Sequence, residues 1–236
     1  MSDKNDVIVI DTAKSVMTLP TTTNKISPTK DALLVDNSDV IVFDTKDSLI
    51  EPTTKVKLAP KIMELVPENH PALKQVLPDF DFTNPPCNPT EYASSLVETC
   101  KNNKGLGLSA NQCGHPYRVF VMGHNDEYVA FFNPKITYQS DSTVHMAEGC
   151  LSFPYLALYI TRPETIDVEY QDYNGEYKKA TFSGISARCF LHELDHMNGI
   201  VYTERCKPLA LKSGFDKRKK LFKKLTKRYG DSLRIR

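Results

Sequence analysis

Apolar and polar positions follow two periods along the chain, and these predict its elements. Between Glu164 and Tyr173, Ile166, Val168 and Tyr170 recur at every second residue, the period of a half-buried β-strand. Asn174-Gly175 follows as a strong hairpin-turn signal, and Lys178–Phe182 carries the returning strand. Val119–Met122 and Glu127–Phe132 read as two further strands. Helical spacing governs elsewhere. Pro89-Thr90-Glu91 opens a helix whose Tyr92, Leu96 and Val97 fall near one face, and Lys104-Gly105 closes it. A second helix is predicted over Ile185–Met197, stopped by Asn198-Gly199. The proline-rich stretch Pro78–Pro89 reads as a loop.

Residues 1–60 have a different character. They are rich in Thr, Asp and Lys, and hold no Gly and no Cys. Asp6-Val-Ile-Val-Ile-Asp-Thr12 recurs as Asp39-Val-Ile-Val-Phe-Asp-Thr45, and the register continues to Pro28 and Pro60 with one single-residue gap. Asp31-Ala-Leu-Leu-Val-Asp36 reads as a degenerate third copy. Each copy suits a short strand of β-branched residues. Two clear units are few for a solenoid. A small β appendage packed on the main domain is expected, with a flexible extension or a partner-binding module as the alternatives. The expected organisation is an N-terminal extension over 1–60, a compact catalytic domain over 61–211 and a basic helix over 212–236.

Composition narrows the class. The 236 residues are 40% hydrophobic and 25% charged, as in ordinary globular proteins. No apolar stretch approaches the roughly 18 to 20 residues that span a bilayer, so no membrane association is expected. The N-terminus shows neither a secretory signal nor a transit peptide, and a cytoplasmic location is expected. Six cysteines are too few for a disulfide scaffold, and in a reducing cytosol a cysteine that matters is more often a ligand or a nucleophile. The net charge of +1 hides an asymmetry: residues 204–236 hold 13 Lys and Arg against three Asp and Glu, a net +10. The rest of the chain therefore sums to −9, and the tail suggests an anionic partner.

Three segments could carry chemistry. In His192-Glu193-Leu194-Asp195-His196 the two imidazoles lie one helical turn apart on one face. They can share a metal ion, with the Glu as general base, although His-x-x-x-His also arises by chance on a solvated face. A third ligand is needed. Downstream, Glu204 is the only Glu, and it lies across an Asn-Gly turn. Upstream, Glu148-Gly149-Cys150-Leu151-Ser152 offers a cysteine beside a glycine, a good soft ligand once deprotonated. Cys87, Cys100, Cys113, Cys189 and Cys206 read as buried structural thiols. The third segment, Gly105-Leu106-Gly107-Leu108-Ser109-Ala110-Asn111-Gln112, opens with glycines that permit close backbone approach and ends in an amide that can donate to an oxyanion. No Gly-Lys-Ser/Thr follows, so it is not a phosphate loop.

In the order GLGLSANQ, EGCLS, HELDH, these segments resemble the peptide deformylase family, whose pattern is GxGLAAxQ, EGCLS and HExDHxxG. The resemblance covers about residues 61 to 205 and includes Arg162-Pro163 and Asn174-Gly175-Glu176. It implies an α+β fold with antiparallel sheets around a central helix carrying HELDH. It implies that Cys150, His192 and His196 hold the metal and that Glu193 is the acid/base. Gln112 and the backbone N–H of Leu151 would bind the developing oxyanion. Leu106 and Gly107 would pair an extended peptide. Gly105, Glu148 and Arg162 would support the site, and Asp195 would be a structural or outer carboxylate.

The implied activity is hydrolytic removal of the N-formyl group from formyl-methionine at the start of nascent polypeptides, releasing formate. The implied cofactor is one divalent ion, Fe²⁺ physiologically, with Zn²⁺, Ni²⁺ or Co²⁺ able to substitute. A zinc endopeptidase and a non-catalytic binding module are the competing classes. Cys150 as third ligand argues against the first, and the intact Glu193 and Gln112 argue against the second. Ser109, Leu191, Tyr155 and Arg188 depart from the usual pattern and bear on peptide preference rather than on the reaction. The tail is expected to be an amphipathic helix with Phe222, Leu225 and Tyr229 in one stripe. Docking of that stripe with the charges solvated is the bland reading, and a membrane-surface helix is a further alternative; binding of the ribosome or RNA through the basic residues is the expectation. A monomer in a bacterium, or in a phage-infected bacterial host, is expected.

Overall fold

The computed structural model describes the backbone of Val7–Ile10, residues 60–125 and residues 127–229. The chain divides into two compact units, Met1–Thr18 with Pro60–Arg236, and Leu19–Ala59. The second unit, with the second copy of the N-terminal repeat, lies outside the described residues.

In chain order the elements are β1 (Val7–Ile10), α1 (Pro89–Asn102), β2 (Gly107–Ser109), β3 (Val119–His124), β4 (Glu127–Gln139), β5 (Thr143–Cys150), β6 (Phe153–Pro163), β7 (Thr165–Gln171), β8 (Tyr177–Ser183), α2 (Gly184–Met197) and α3 (Pro208–Tyr229). Six strands form one sheet in the order β1-β8-β7-β4-β3-β2, and β5 pairs with β6 in a second. The architecture is α+β, as expected. Among the described residues every strand pairing is antiparallel except β1 with β8, where Val7 to Ile10 run parallel to Lys179 to Phe182.

The four apolar residues of β3 explain the layering. Phe120 and Met122 face α2, packing with Phe190, Leu194 and Met197. Val119 and Val121 face the other way, against Tyr92, Leu96 and Cys100 of α1. A strand buried on both faces reads as a continuous apolar run, and this one lies between two helices. Each buried aromatic ring contributes roughly 1.5–3 kcal/mol through the area it removes from water.

Local chemistry sets the helix ends. The Asn88 side chain accepts from the N–H groups of Thr90 and Glu91, and Pro89 occupies the first turn of α1. At the end of α2, Gly199 has φ +69, and a Cβ there would sit 2.5 Å from the Lys74 carbonyl oxygen. Only glycine serves both demands.

The β5–β6 hairpin is the main element that the hydrophobic pattern did not predict. Leu156, Leu158 and Ile160 alternate inward along β6, but the next inward residue is the buried Arg162. On β5 the buried residue is Glu148. Charges at core positions hide the period. All six cysteines carry free thiols. Of the five read as buried structural thiols, only Cys100 and Cys113 are fully buried; Cys87, Cys189 and Cys206 are half-buried.

Candidate active site

Helix α2 is buried on nearly every side from Ala187 to Met197, polar residues included. His192 and His196 lie one turn apart with ring centroids 5.0 Å from each other. Cys150 arrives from the end of β5, where a register shift between Glu148 and Cys150 bends the strand and re-aims the thiol. Its Sγ lies 3.3 Å from His196 Nε2. The ligand atoms of Cys150, His192 and His196 all fall within 4.8 Å of one another. Tetrahedral bonds of about 2.1 Å to nitrogen and 2.3 Å to sulfur put such atoms about 3.4–3.6 Å apart, so the donor set fits a divalent transition metal. Among the described residues this is the one such cluster.

The surroundings suit that set. His192 Nδ1 lies 3.2 Å from Glu148 Oε2, which leaves Nε2 for the cluster. Burial pushes the Glu148 carboxyl up, but the hydrogen bonds from Arg162 and His192 outweigh it and hold it at about 2. Arg162 donates to both Glu148 oxygens, at 2.7 and 2.9 Å, and to Asp195 at 2.7 Å. Arg205 adds a second partner for Asp195. Burial holds His196 neutral, the form a metal requires. Glu204 stands apart, bonded to Lys74 and the Val201 N–H.

Strand β2 and the turn after it approach from the other side. The Ser109 N–H donates to Gln112 Oε1 at 2.9 Å. This turns Gln112 Nε2 toward Ser152 Oγ at 3.2 Å and Cys150 Sγ at 3.4 Å. Glu193 is buried, and burial raises its carboxyl above the usual range, with His192 and Ser109 partly opposing. Strand β2 is an edge strand. The Leu106 carbonyl accepts from Gly123 on β3, so the alternation of the ladder turns the Gly107 backbone outward. Gly105 lies deeper, its carbonyl accepting from the Tyr128 hydroxyl at 2.7 Å. Leu151 is half-buried beside Cys150. Of the twelve residues singled out in the sequence, eleven line this cleft or the ion network behind it, and His196 joins them through the thiol–imidazole cluster.

The sequence reading gave Ser109 and Arg188 no part in the chemistry, and here the structure adds to it. Ser109 Oγ donates to Glu193 Oε2 at 2.7 Å. Arg188 donates to Glu148 at 2.6 Å and to the carbonyls of Ile160 and Val144. A signal existed in both cases. A hydroxyl within GLGLSA and an arginine within the apolar run ISARCFL each need a partner once buried.

Gly107 makes a sharp prediction. A Cβ there would meet Glu193 Oε1 at 2.5 Å and Cys189 Sγ at 2.9 Å. Gly107→Ala should cost about 1–3 kcal/mol of stability through overpacking. Because the displaced atom belongs to Glu193, kcat should fall more than about tenfold while the metal is retained. Thermal melts, metal content and kcat on one preparation check this.

Fold and site together define a metal-dependent hydrolase in which one thiol and two imidazoles cluster beside a buried carboxylate. Comparison with known proteins gives the family. The sequence profile of polypeptide deformylase matches residues 62–212. The peptide deformylase of Thermotoga neapolitana is 41% identical over 113 residues, 48% of this chain and 69% of that one. That of Phenylobacterium zucineum is 33% identical over 164 residues, 67% of this chain and 96% of that one. The structure of a Synechococcus elongatus peptide deformylase in complex with actinonin superposes with a TM-score of 0.62, at 29% identity, covering 72% of this chain and 93% of that one. The chain belongs to the polypeptide deformylase family, and its activity is removal of the N-formyl group from nascent polypeptides.

Proposed function

We propose that Cys150, His192 and His196 hold the divalent ion, that Glu193 moves the protons, and that Gln112 and the Leu151 N–H stabilise the oxyanion. The observation that carries this reading is the convergence of one thiol and two imidazoles, from β5 and α2, within 4.8 Å of one another, with the buried Glu193 next to His192 on α2. A bound ion would supply Lewis acidity and lower the pKa of water there. Glu193 takes a proton from the attacking water and returns it to the leaving amine; its raised proton affinity suits both transfers. Ser109 fixes one Glu193 oxygen and leaves the other on the Gly107 side. Gln112, oriented by the Ser109 N–H, presents Nε2 to the developing oxyanion, and one such donor is worth about 3 kcal/mol. The Glu148–Arg162–Asp195 network holds His192 and α2 in register. An extended formyl-methionyl peptide adds to the edge of β2 at Leu106 and Gly107.

Fe²⁺ is the proposed physiological ion, with Zn²⁺, Ni²⁺ or Co²⁺ able to take its place. The proposed organisation is a catalytic domain over 61–211, an appendage over 1–60 and a basic tail over 212–236, in a cytoplasmic monomer; the tail's helix starts earlier than expected, at Pro208. The deciding experiment offers the protein a formyl-Met peptide and its unformylated twin. Formate release from the first alone is expected. Cleavage of a peptide bond in the second would indicate an endopeptidase, and turnover of neither a binding module.

The tail reading concerns partners. Helix α3 begins at Pro208 and packs on β6, with Phe222 and Leu225 half-buried. Tyr229, third in the stripe, has no described side chain. Phe222 and Leu225 are thus partly covered, while Lys217, Lys219, Lys220, Lys223, Lys224 and Lys227 are exposed. We propose that this face binds ribosomal RNA phosphate. Co-sedimentation with ribosomes should weaken steeply with salt. Charge reversal of four of these lysines should abolish it, whereas unchanged binding would rule the face out.

A further inference from the structure

The cleft holding Cys150, His192 and Glu193 has a second lining that the reaction does not use. It consists of Glu68, Tyr155, Arg218 and Phe222. Arg218 and Phe222 come from α3, so the C-terminal helix is a wall of this cleft. It is seated firmly. Gly214 lies so close to β6 that a Cβ would be 2.5 Å from Leu158 Cδ2. Arg218 donates to both oxygens of Glu68, at 2.7 and 3.0 Å, which ties α3 to the segment before α1. That segment is in turn anchored on the site, since the Val66 N–H donates to the Gln112 carbonyl at 2.8 Å.

The chemistry of this wall is aromatic. Phe222 meets Tyr155 edge-on with centroids 5.5 Å apart. The Arg218 guanidinium lies 5.7 Å from the Phe222 centroid and 5.1 Å from that of Phe215. Its charge is balanced by Glu68, so the wall offers rings and no free cation to a ligand. Tyr155 is 57% exposed and has φ +62, a left-handed conformation that costs a bulky residue about 1–3 kcal/mol. Tyr155, one of the departures from the family pattern, therefore places a ring at strain, half in solvent, five positions after Cys150 along the chain. Packing of α3 alone does not require that ring to remain exposed.

We propose that Tyr155, Phe222 and Arg218 form a distal subsite for the third or fourth residue of the formylated peptide, favouring aromatic or large apolar side chains over acidic ones. The proposal rests on the formyl-Met peptide reading above. With the formyl group beside Cys150, the part of the substrate that can reach this wall is the chain that follows methionine.

The test uses full-length, metal-loaded protein. It compares kcat/KM for formyl-Met-Ala with that for formyl-Met-Ala-Phe-Phe and formyl-Met-Ala-Asp-Asp. In the wild type the Phe peptide should exceed the dipeptide by about three- to tenfold, as one or two aromatic contacts provide, and the Asp peptide should not. Phe222→Ala and Tyr155→Ala should each bring the Phe-to-dipeptide ratio toward one, and Phe222→Tyr should keep it. Tyr155→Ala leaves the Arg218–Glu68 pair and the Gly214 seat that hold α3 in place. A wild-type ratio near one, or an unchanged ratio in both alanine variants, would overturn the subsite. Failure of the wild type to hydrolyse formyl-Met-Ala would instead overturn the reading on which it rests.

Discussion

Glu193→Gln should retain its metal and lose kcat by about 10²- to 10⁴-fold, the usual contribution of a positioned general acid–base group. The substitution keeps the shape of the side chain and an oxygen for the Ser109 hydroxyl, which now bonds Glu193 Oε2 at 2.7 Å. It removes the group that can accept a proton. None of the three proposed ligands is altered. KM for a formyl-Met peptide should change little, because proton transfer belongs to the transition state. Stability should hold or rise slightly, since a buried carboxylate is replaced by a neutral amide. Metal content by atomic absorption and steady-state kinetics on the same preparation decide it. Activity within about tenfold of wild type would mean that another base serves.

Cys150→Ala should lose metal and activity together. The thiolate is the one anionic member of the proposed ligand set, and its loss leaves two histidines on a single helix turn. Two imidazoles without a third protein ligand are a weak site for any of the candidate ions. The loss should also be visible without an assay. An ion present at 100 times its dissociation constant stabilises the fold by about 2.7 kcal/mol, and in a chain of this size each kcal/mol moves Tm by about 2–4 °C. The wild type should therefore melt roughly 5–10 °C lower after chelation. Cys150→Ala should already melt at the chelated value and should not respond to added metal. Full activity, or a metal-dependent Tm, in that variant would remove Cys150 from the ligand set.

Much of the site was legible because its parts are local. His192 and His196 share a face through helix periodicity alone. The β7–β8 hairpin follows from alternation and one Asn-Gly turn, and α1 from Asn88, Pro89 and its apolar spacing. The meeting of GLGLSANQ, EGCLS and HELDH came from a family resemblance, since nothing in local spacing brings Gln112, Cys150 and His192 together. The first repeat copy does form a strand at Val7–Ile10, while the second lies outside the described residues.

The amino-acid sequence by itself determined the helices, the turn chemistry, the reactive residue types and the basic face of the tail, because each depends on neighbours a few residues away. Tertiary structure alone decided the rest. It buried Glu148 and Arg162 at positions where a hydrophobic period was expected, and paired them across the β5–β6 hairpin. It set the Ser109 hydroxyl on a carboxylate 84 residues further along the chain. It laid one face of α3 along the cleft, with Arg218 bonded to Glu68 150 residues before it, and left the lysines of the other face in solvent. Partners so distant in sequence leave no periodic trace. Their burial carries a desolvation cost that only a specific three-dimensional neighbour offsets.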